Sequence, residues 1–268
     1  MKFNEQQITR YSRHILLDQI GGAGQTSLVN SKVLVIGAGG LGSPVVLYLA
    51  AAGVGTIGVI DDDFVELSNL QRQILHKTPS IGCAKVLSAK KTIDEINPEV
   101  KLIPIQERLG PDNALNIISQ YDLIADGCDN FETRFLVNDA CFFSNKTLVS
   151  AAILQFDGQI YTFKPNKKDA KGNRLPCYRC LFPEVPPTAE MPTCSEAGVL
   201  GALCGTIGSL QTTEVIKELL GIGEGLAGSL IIYEGLSSTF RKITIKADPD
   251  CPLCGSNPRI LDLSYHVK

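Results

Sequence analysis

The stretch VLVIGAGGLGSP, at residues 33–44, constrains the fold of this chain more than any other part of the sequence. An apolar, β-branched run leads into a glycine-rich turn, and a run suited to a helix follows it. Glycine permits the tight turn between a strand and a helix, and it lets backbone N–H groups approach phosphate oxygens at the helix N-terminus. We therefore predict a phosphate-binding loop that contains Gly37, Gly39, Gly40 and Gly42. The alternative is a turn whose glycines only tighten the packing of helix on strand.

Strand-like and helix-like segments alternate through the first half of the chain. Such alternation is typical of a doubly wound parallel sheet, so the predicted fold class is α/β, with a Rossmann-like, mostly parallel sheet. The predicted strands of this half are SKVLVIG, TIGVIDDD, VKLIPIQ, YDLIADG and TLVSAAI. The predicted helices cover residues 4–30 and 40–53 and the segments SNLQRQIL, AKVLSAKKTIDEI and NFETRFLVNDACFFS.

The second half of the chain changes in character. GQIYTFKP begins a more antiparallel region, which SLIIYEG and FRKITIKA continue, so an antiparallel C-terminal extension of the sheet is predicted. Residues 164–197 are rich in proline, lysine and aspartate and are predicted to form a loop. A largely buried helix is predicted near 199–220.

No internal repeat and no long linker divides the 268 residues, so a single domain, 1–268, is predicted. We expect a helical arm at 1–30, a nucleotide-binding half at 31–160 and an elaborated second half at 161–268.

The composition limits the class of protein. The net charge of −3 provides no overall basic field for nucleic acid. A membrane span is not predicted, because no run of about 18 apolar residues occurs. The N-terminus lacks the apolar core of a signal peptide, so a cytoplasmic protein is predicted. In that compartment nine cysteines indicate metal binding or catalysis rather than disulfides.

Asp61 ends the strand that follows the glycine loop, 19 residues after Gly42 (61 − 42). A carboxylate at this place can accept a hydrogen bond from a ribose 2′-OH. The loop and Asp61 therefore predict a bound adenosine, but both NAD and ATP contain one. An NAD-dependent oxidoreductase and a non-enzymatic nucleotide-binding scaffold are the alternatives to an ATP-using enzyme.

The stretch ELSNLQRQIL holds groups that suit a triphosphate. If it is helical, Asn69, Arg72 and Gln73 lie three and four residues apart and share one face. Lys85 follows near the start of the next predicted helix. Alternatively, Arg72 is a solvated surface charge and Lys85 an ordinary exposed lysine. Because ATP carries more charge than a dinucleotide, two cations beside the glycine loop favour ATP over NAD.

Asp129 lies in DLIADGCDN, at the carboxyl end of the fourth predicted strand. Ligands of open α/β sheets bind at the carboxyl ends of strands, so Asp61 and Asp129 are expected to border one crevice. A carboxylate oxygen is a hard ligand for Mg²⁺, and phosphates can complete such a shell. Asp129 is therefore predicted to bind Mg²⁺, and the N-cap of the following helix is its alternative role.

Two CxxC pairs lie far apart in the sequence: Cys177 and Cys180 in PCYRC, and Cys251 and Cys254 in DCPLC. Four thiolates form a tetrahedral site for Zn²⁺ with no open position, which is typical of a structural metal. The 70 residues between the pairs (251 − 180 − 1) exclude a local zinc ribbon. A structural zinc site that holds the tail onto the domain is therefore predicted. Four unrelated thiols and a redox CxxC are the alternatives.

Cys194, in MPTCSEAGV, precedes the long predicted helix. A helix N-terminus favours the thiolate form of a cysteine, which suits a nucleophile or a sulfur-transfer role. An inert loop thiol is the alternative. The remaining cysteines stand in apolar or helical surroundings and are predicted to be small buried hydrophobic residues. They are Cys83, Cys128, Cys141 and Cys204.

RYSRHILL, VLVIGAGGLGSP, LSNLQRQIL, DGCDN, PCYRC and CPLC occur in this order along the chain. In this combination the sequence resembles the ThiF/MoeB/HesA family, bacterial relatives of the ubiquitin-activating enzymes. LSNLQRQ and the split CxxC pairs are the most specific parts of the resemblance. The family implies ATP-dependent adenylation of the C-terminal glycine of a small ubiquitin-like sulfur carrier that ends in Gly-Gly, with release of pyrophosphate. The acyl-adenylate is later converted to a thiocarboxylate.

The resemblance also implies roles for individual residues of the nucleotide site. Asp61 matches the ribose ligand of the family. Asn69, Arg72 and Lys85 match positions that contact the phosphates, and Asp129 matches the Mg²⁺ carboxylate.

Two further matches concern partners. Arg13, in RYSRH, matches an arginine that reaches into the site of the partner subunit, which implies a homodimer. Cys194 matches a cysteine that forms a covalent link to the carrier in some members. The half at 161–268 is then expected to bind the carrier as well as zinc.

The family also suggests where the sulfur comes from. Many relatives carry a rhodanese domain after the zinc site, whereas this sequence runs 14 residues past Cys254 (268 − 254). A separate sulfur donor protein is therefore expected. The carrier of molybdopterin synthase is the first candidate for the substrate, and the carrier of the thiamine pathway is the second.

Overall fold

The computed structural model describes residues 3–185 and 197–267. In these ranges the helices are α1 (Glu5–Ile15), α2 (Gly21–Asn30), α3 (Gly42–Ala52), α4 (Lys85–Ile96), α5 (Ala114–Ser119), α6 (Phe131–Phe143), α7 (Tyr178–Leu181) and α8 (Gly201–Leu220). The strands are β1 (Lys32–Ile36), β2 (Thr56–Ile60), β3 (Lys101–Ile105), β4 (Leu123–Asp126), β5 (Thr147–Leu154), β6 (Asp157–Phe163), β7 (Ser229–Glu234) and β8 (Thr239–Thr244). Short 3-10 helices cover Leu67–Asn69, Thr78–Ser80 and Leu263–His266.

The strands form one sheet in the order β3-β2-β1-β4-β5-β6-β7-β8. The first five in this order are parallel, and β6, β7 and β8 extend the sheet with antiparallel pairs. The order changes direction between β1 and β4, which is the kind of place where open α/β sheets bind ligands. The predicted Rossmann-like sheet and its antiparallel extension are thereby confirmed.

The apolar run of β1 is explained by burial on both faces of the sheet. Val33 and Val35 pack with α3, α4 and α8 on one face, while Leu34 and Ile36 pack with α5 and α6 on the other. Successive side chains of a strand point to opposite faces, so a strand between two helical layers needs apolar residues at every position. The sheet is thus covered on both faces, and the loops at its carboxyl edge are left to meet a ligand.

Residues 4–30, predicted to be helical, form two helices, because a turn separates α1 from α2. The turn ends at Gly21, whose φ of +56° lies outside the helical region. Tyr11 of α1 is buried against Gly53, the left-handed residue that ends α3. The arm therefore packs on the end of α3 that is far from the glycine loop.

The stretch SNLQRQIL, predicted to be helical, does not form an α-helix. It contains a single 3-10 turn at Leu67–Asn69, after which the Asn69 carbonyl accepts two backbone N–H groups. One further turn-like bond joins the His76 N–H to the Gln73 carbonyl at 3.0 Å. The helical partner of the Leu75 carbonyl would be residue 79, but Pro79 has no N–H, and the carbonyl accepts from Thr92 Oγ1 of α4 at 2.9 Å.

The loop predicted for residues 164–197 contains the short helix α7, and residues 186–196 lie outside the described part of the chain. The chain then returns beside the turn between β5 and β6. The Gln155 N–H donates to the Gly198 carbonyl at 3.1 Å, and the Leu200 N–H donates to the Gln155 carbonyl at 3.0 Å. The predicted long helix follows as α8 and is confirmed. Among the helices of residues 3–185 and 197–267, none combines the length and apolar character that crossing a membrane requires.

Candidate active site and four-cysteine cluster

The glycine loop connects β1 to α3 at the carboxyl edge of the sheet. Gly37 has a φ of +88°, which favours glycine. Gly42 lets the loop close on itself, because a Cβ at this position would lie 1.9 Å from the Gly37 carbonyl oxygen. At Gly40, a Cβ would lie 2.8 Å from Cys204 Sγ of α8. The loop is thus a tight turn ahead of a helix N-terminus, the arrangement that binds phosphate in many proteins.

Asp61 follows β2 and lies against the glycine loop. Its Oδ2 accepts a hydrogen bond from the Ala38 N–H at 2.7 Å, and its Oδ1 accepts one from the Asp63 N–H at 2.9 Å. Asp61 is half-buried, and a carboxylate offers more acceptor positions than these two bonds use. The structure therefore brings Asp61 and the loop together with capacity for a ligand.

Lys85 begins α4, and only 7% of its side chain is exposed. Its Nζ lies 2.7 Å from Asp63 Oδ2, and its backbone N–H donates to the Asp63 carbonyl at 2.9 Å. The alternative of an ordinary exposed lysine is therefore wrong. Since Asp63 follows Asp61 by two residues, this ion pair holds the ammonium group beside the segment that carries the proposed ribose ligand.

The segment between β2 and α4 brings three more polar side chains to the loop. Asn69 and Gln73 are buried, and Arg72 is half-buried. A Cβ at Gly40 would lie 3.7 Å from Arg72 Cγ, and one at Gly39 would lie 3.8 Å from Gln73 Nε2. Arg72 and Gln73 therefore lie next to the glycine turn, but not through the helical face that the sequence predicted. The fold of an irregular segment places them there.

The loop after β4 borders the glycine loop on another side. A Cβ at Gly37 would lie 3.2 Å from the Gly127 carbonyl oxygen, so the two loops are in contact. Asp129 is exposed in this loop. The N-cap of α6 is Asn130, whose side chain accepts from the Thr133 N–H at 2.8 Å. The alternative role of Asp129 as the N-cap is therefore wrong, and its carboxylate is accessible to a ligand.

A buried polar network, which sequence reasoning missed, supports that loop. Asp126 is fully buried at the end of β4, and its Oδ1 accepts from the Cys128 N–H at 3.0 Å. Arg134 of α6 lies 3.7 Å from the same carboxylate and donates to the Cys128 carbonyl at 2.9 Å. Gln211 of α8 donates to the Asp126 carbonyl at 2.8 Å. Three elements thus fix the backbone that leads to Asp129.

His76 also contacts the glycine loop and was missed. Its Nε2 lies 2.9 Å from the Ala38 carbonyl oxygen, and its Nδ1 lies 3.0 Å from Ser88 Oγ. The sequence offers one signal, a histidine directly after LSNLQRQIL. A single histidine has no spacing pattern, so its partner becomes visible only in the folded chain.

The structure does not bring Arg13 to the glycine loop of its own chain. Arg13 is exposed on α1, and α1 contacts the C-terminal end of α3, whereas the glycine loop leads into the N-terminal end. The ends of a helix of this length are about 15 Å apart. Arg13 therefore lies apart from the other candidate residues within one copy of the chain.

The four cysteines of the CxxC pairs meet in space. Their sulfur atoms all lie within 4.8 Å of one another. The Sγ–Sγ distances from Cys177 are 3.9 Å to Cys180, 3.6 Å to Cys251 and 3.3 Å to Cys254, and the distance from Cys180 to Cys254 is 3.4 Å. A tetrahedral Zn²⁺ with Zn–S bonds of about 2.3 Å requires sulfur separations of about 3.8 Å. The donor set therefore fits one four-coordinate metal, and four unrelated thiols would not converge in this way.

A buried ion pair anchors the cluster to α6. Arg179, between the two cysteines of the first pair, is fully buried and donates to both oxygens of Asp139 at 2.8 and 2.7 Å. His266, in the last 3-10 helix, contacts the same carboxylate through Nε2 at 2.8 Å. The guanidinium also lies 4.7 Å from the centre of the Phe135 ring. One carboxylate thus holds both the CYRC turn and the tail, a connection that the sequence did not reveal.

We expect Asp139→Ala to lower the free energy of unfolding by about 3–5 kcal/mol, because it leaves the Arg179 guanidinium buried without its anion. Urea unfolding of the purified chain would measure this loss. The matched control is Asp262→Ala, which removes an exposed carboxylate that caps the same tail helix through the Ser264 N–H. The control is expected to cost about 1 kcal/mol. Equal losses in the two variants would contradict the importance of the ion pair.

The other cysteines divide into two groups. Cys128, Cys141 and Cys204 are buried, as predicted, and burial raises the pKa of the Cys128 and Cys141 thiols. Cys83 is exposed, so the prediction of a buried hydrophobic residue is wrong there. It lies in the turn before α4 rather than on the packed face of a helix or strand. Cys194 lies outside the described residues, and its role stays a prediction.

The strand order and the acidic residue after β2 define a Rossmann-like α/β protein whose tight glycine turn lies at the carboxyl edge of the sheet. The chain belongs to the ThiF family, whose family model matches residues 11–253. The resemblance inferred from the motifs is thereby confirmed.

Curated relatives match almost the whole chain. The sulfur carrier protein adenylyltransferase of Thermus thermophilus is 48% identical over 258 residues, which cover 96% of this chain and 94% of that protein. The SAMP-activating enzyme E1 of Haloferax volcanii is 44% identical and covers 97% of this chain and 94% of its own length. The probable adenylyltransferase/sulfurtransferase MoeZ of Mycobacterium tuberculosis is 47% identical over 93% of this chain, which spans 63% of that longer protein.

Solved structures share the fold at lower identity. E. coli MccB with succinimide superimposes with a TM-score of 0.79 at 23% identity, covering 95% of this chain and 75% of that one. E. coli MccB with ATP has a TM-score of 0.77 at 23% identity, covering 94% and 75%. At this level of identity the likeness concerns the architecture alone.

Proposed function

We propose that this chain is an adenylyltransferase that uses ATP to adenylate the C-terminal glycine of a small ubiquitin-like sulfur carrier and releases pyrophosphate. Two relatives that match nearly end to end support this, since one is named a sulfur carrier protein adenylyltransferase and the other a SAMP-activating enzyme. The structural observation that supports the proposal is that Asp61 accepts from Ala38 of the glycine loop, with Arg72 next to Gly40 and Lys85 paired to Asp63, two residues after Asp61.

The residues of the site suit a triphosphate. Asp61 would accept a hydrogen bond from the ribose, and the N–H groups of the loop would approach the phosphates. Arg72 and Lys85 supply two positive charges, and Asn69 and Gln73 supply amide donors from the same segment. An incoming phosphate would compete with Asp63 for the Lys85 ammonium group, so the ion pair keeps this cation in place for its ligand.

The chemistry requires charge neutralisation more than proton transfer. A glycine carboxylate is ionised at pH 7, so its attack on the α-phosphate needs no general base. An oxygen–phosphorus bond forms to the carboxylate as the bond to the leaving pyrophosphate breaks, which yields an acyl-adenylate. Bringing two anions together is electrostatically unfavourable, and fixed cations lower this cost in the transition state.

We propose that Asp129 holds Mg²⁺ for this reaction. Its carboxylate is accessible and lies in the loop that contacts Gly37, and hard oxygen ligands suit this cation. The ion would supply further neutralisation of phosphate charge when bound. The buried network of Asp126, Arg134 and Gln211 would keep the Asp129 loop in position.

We also propose that Cys177, Cys180, Cys251 and Cys254 bind one structural Zn²⁺. The sulfur separations of 3.3 to 3.9 Å support a four-coordinate site, and four thiolates leave no open position for catalysis. The metal would tie the CYRC turn to the C-terminal tail, next to the contact between Arg179 and Asp139.

The position of Arg13 supports a homodimer. Because it lies apart from the site of its own chain, we infer that it contributes to the site of a partner subunit. The arm at 1–30 would then contribute to the dimer interface, and the half at 31–160 would bind the nucleotide. The half at 161–268 would bind the carrier and zinc. A separate sulfur donor and a covalent role for Cys194 stay predictions.

ATP–pyrophosphate exchange measured with each candidate carrier would identify the substrate. We expect exchange with the molybdopterin-synthase carrier first and with the thiamine-pathway carrier second, and mass spectrometry would detect the adenylated tail. The matched control is each carrier without its last glycine, which should support no exchange. ATP binding without exchange by any carrier would favour a non-enzymatic scaffold, and NADH binding without ATP binding would favour an oxidoreductase.

A further inference from the structure

His76 joins the glycine loop to α4 from an enclosed position. Only 5% of its surface is exposed. Its ring bridges the Ala38 carbonyl oxygen, 2.9 Å from Nε2, and Ser88 Oγ, 3.0 Å from Nδ1. Ser88 lies three residues after Lys85 on α4, so the ring contacts two of the segments that surround the proposed phosphate site. No step of the proposed adenylation uses this imidazole directly.

The hydrogen-bond partners determine the tautomer of His76. A carbonyl oxygen can only accept a hydrogen bond, so Nε2 carries the proton and donates to Ala38. In the neutral ring Nδ1 is then an acceptor, and the Ser88 hydroxyl donates to it. Burial lowers the pKa of His76, which favours this neutral form at pH 7.

The direction of the Ala38 carbonyl has a consequence for the next residue. In a trans peptide the C=O of one residue and the N–H of the following residue point to opposite sides, and the described residues contain no cis peptide. Because the Ala38 carbonyl points to His76, the Gly39 N–H points away from it. No backbone carbonyl within residues 3–185 and 197–267 accepts from that N–H outside the regular helices and strands. The peptide before Ala38 is fixed as well, because the Ala38 N–H donates to Asp61 Oδ2 at 2.7 Å.

We propose that His76 is a positioning residue for the triphosphate: its hydrogen bond to the Ala38 carbonyl holds the Ala38–Gly39 peptide with the Gly39 N–H directed to the phosphates. This inference rests on the proposed function, because it assumes that ATP binds at the glycine loop. His76 itself does not touch the nucleotide. Its effect reaches the phosphates through one peptide, so it should be specific to ligands that carry phosphates.

The test compares ATP and adenosine binding to the purified full chain by calorimetry. His76→Ala is expected to raise the Kd for ATP about tenfold, the size of one well-placed hydrogen bond, and to leave the Kd for adenosine unchanged. His76→Gln keeps an N–H that can reach the Ala38 carbonyl, so it should recover most of the ATP affinity. Ser88→Ala removes the partner that locks the ring, and about a threefold rise in the Kd for ATP is expected.

The matched control is Thr92→Val. Thr92 is buried on the same helix, and its Oγ1 donates to the carbonyl of Leu75, the residue before His76. The variant removes a buried hydrogen bond from this region without touching the glycine loop. It is expected to lower Tm while leaving the Kd for ATP unchanged, because it removes one buried hydrogen bond outside the glycine loop. His76→Ala should lower Tm more, because it removes two hydrogen bonds and most of a buried side chain.

The outcomes separate the two hypotheses. If the wild-type chain and Thr92→Val bind ATP but His76→Ala binds it equally well, the positioning role is wrong and the proposed function stands. If His76→Ala weakens ATP and adenosine alike, or if Thr92→Val weakens ATP as much, His76 is only structural. A wild-type chain that binds no ATP overturns the proposed function and this inference with it. If His76→Ala does not fold, unchanged ATP affinity in Ser88→Ala refutes the role and a selective loss for ATP supports it.

Discussion

Arg72→Ala and Asp129→Ala are each expected to slow ATP–pyrophosphate exchange about 100-fold to 1,000-fold. This is the loss of rate typical of removing one group that stabilises developing charge in a transition state. Arg72 lies against Gly40, and Asp129 is accessible in the loop that contacts Gly37. Neither side chain is part of the packed core, so the fold should survive both changes. The exchange rate at saturating carrier measures the effect, and circular dichroism checks the fold.

Each control removes a charge of the same sign at a position away from the glycine loop. Asp122→Ala removes a carboxylate at the opposite end of β4, where it accepts from the Lys32 N–H. Lys90→Ala removes a cation on α4 that pairs with Asp94 on an exposed face. Both should retain the exchange rate. Wild-type exchange in Arg72→Ala or Asp129→Ala would refute the assigned roles, and a matching loss in a control would indicate a general effect of charge.

Removal of the Zn²⁺ proposed for the four-cysteine cluster should lower the stability of the chain on the order of 5–10 kcal/mol, since structural zinc sites in small finger peptides bind with about 10–16 kcal/mol. The cluster joins residues that are more than 70 positions apart, so without metal the CYRC turn and the tail lose a shared anchor. Tm before and after chelation measures the loss. The affinity for ATP should change much less, because the cluster is not part of the glycine loop.

The zinc content of cysteine variants provides a second test of the metal site. Cys251→Ser should abolish stoichiometric zinc and reproduce the loss of Tm, while Cys83→Ser, which removes an exposed thiol outside the cluster, should retain one zinc per chain. Equal loss of stability and of ATP affinity on chelation would show that the metal does more than support the structure. An unchanged Tm would show that the four thiols bind no structural metal.

Much of the fold could be predicted because it follows from local patterns. β1 is apolar from Val33 to Ile36 because both faces of the strand are buried there, and the helix predicted up to residue 53 does end at Gly53. The prediction for SNLQRQIL was wrong for a reason that the sequence contains. Pro79, four residues after Leu75, has no N–H with which to continue a helix, and the Leu75 carbonyl accepts from Thr92 Oγ1 of α4.

The sequence predicted the chemistry of the candidate site, but not the side chains that hold its residues in place. The residue types and spacing of Asp61, Arg72 and Lys85 indicated a charged nucleotide. In the structure Asp61 accepts from Ala38 of the glycine loop, Arg72 lies next to Gly40, and Lys85 pairs with Asp63, two residues after Asp61. The ion pair of Lys85 with the exposed Asp63 was not foreseen, nor was His76. Each depends on how an irregular segment folds back onto a helix, and such segments carry no periodicity from which a contact could be deduced.

The sequence by itself determined the sheet, the glycine turn and the two CxxC pairs, because each depends on residue type and on spacing along a short stretch. Only the tertiary structure decided which distant groups meet: the imidazole of His76 with the Ala38 carbonyl, and the guanidinium of Arg179 with Asp139, 40 residues before it. The physical reason is that a buried polar group must find a partner wherever the packing of strands and helices brings one within hydrogen-bond distance. That packing is a property of the whole chain, and no local pattern encodes it.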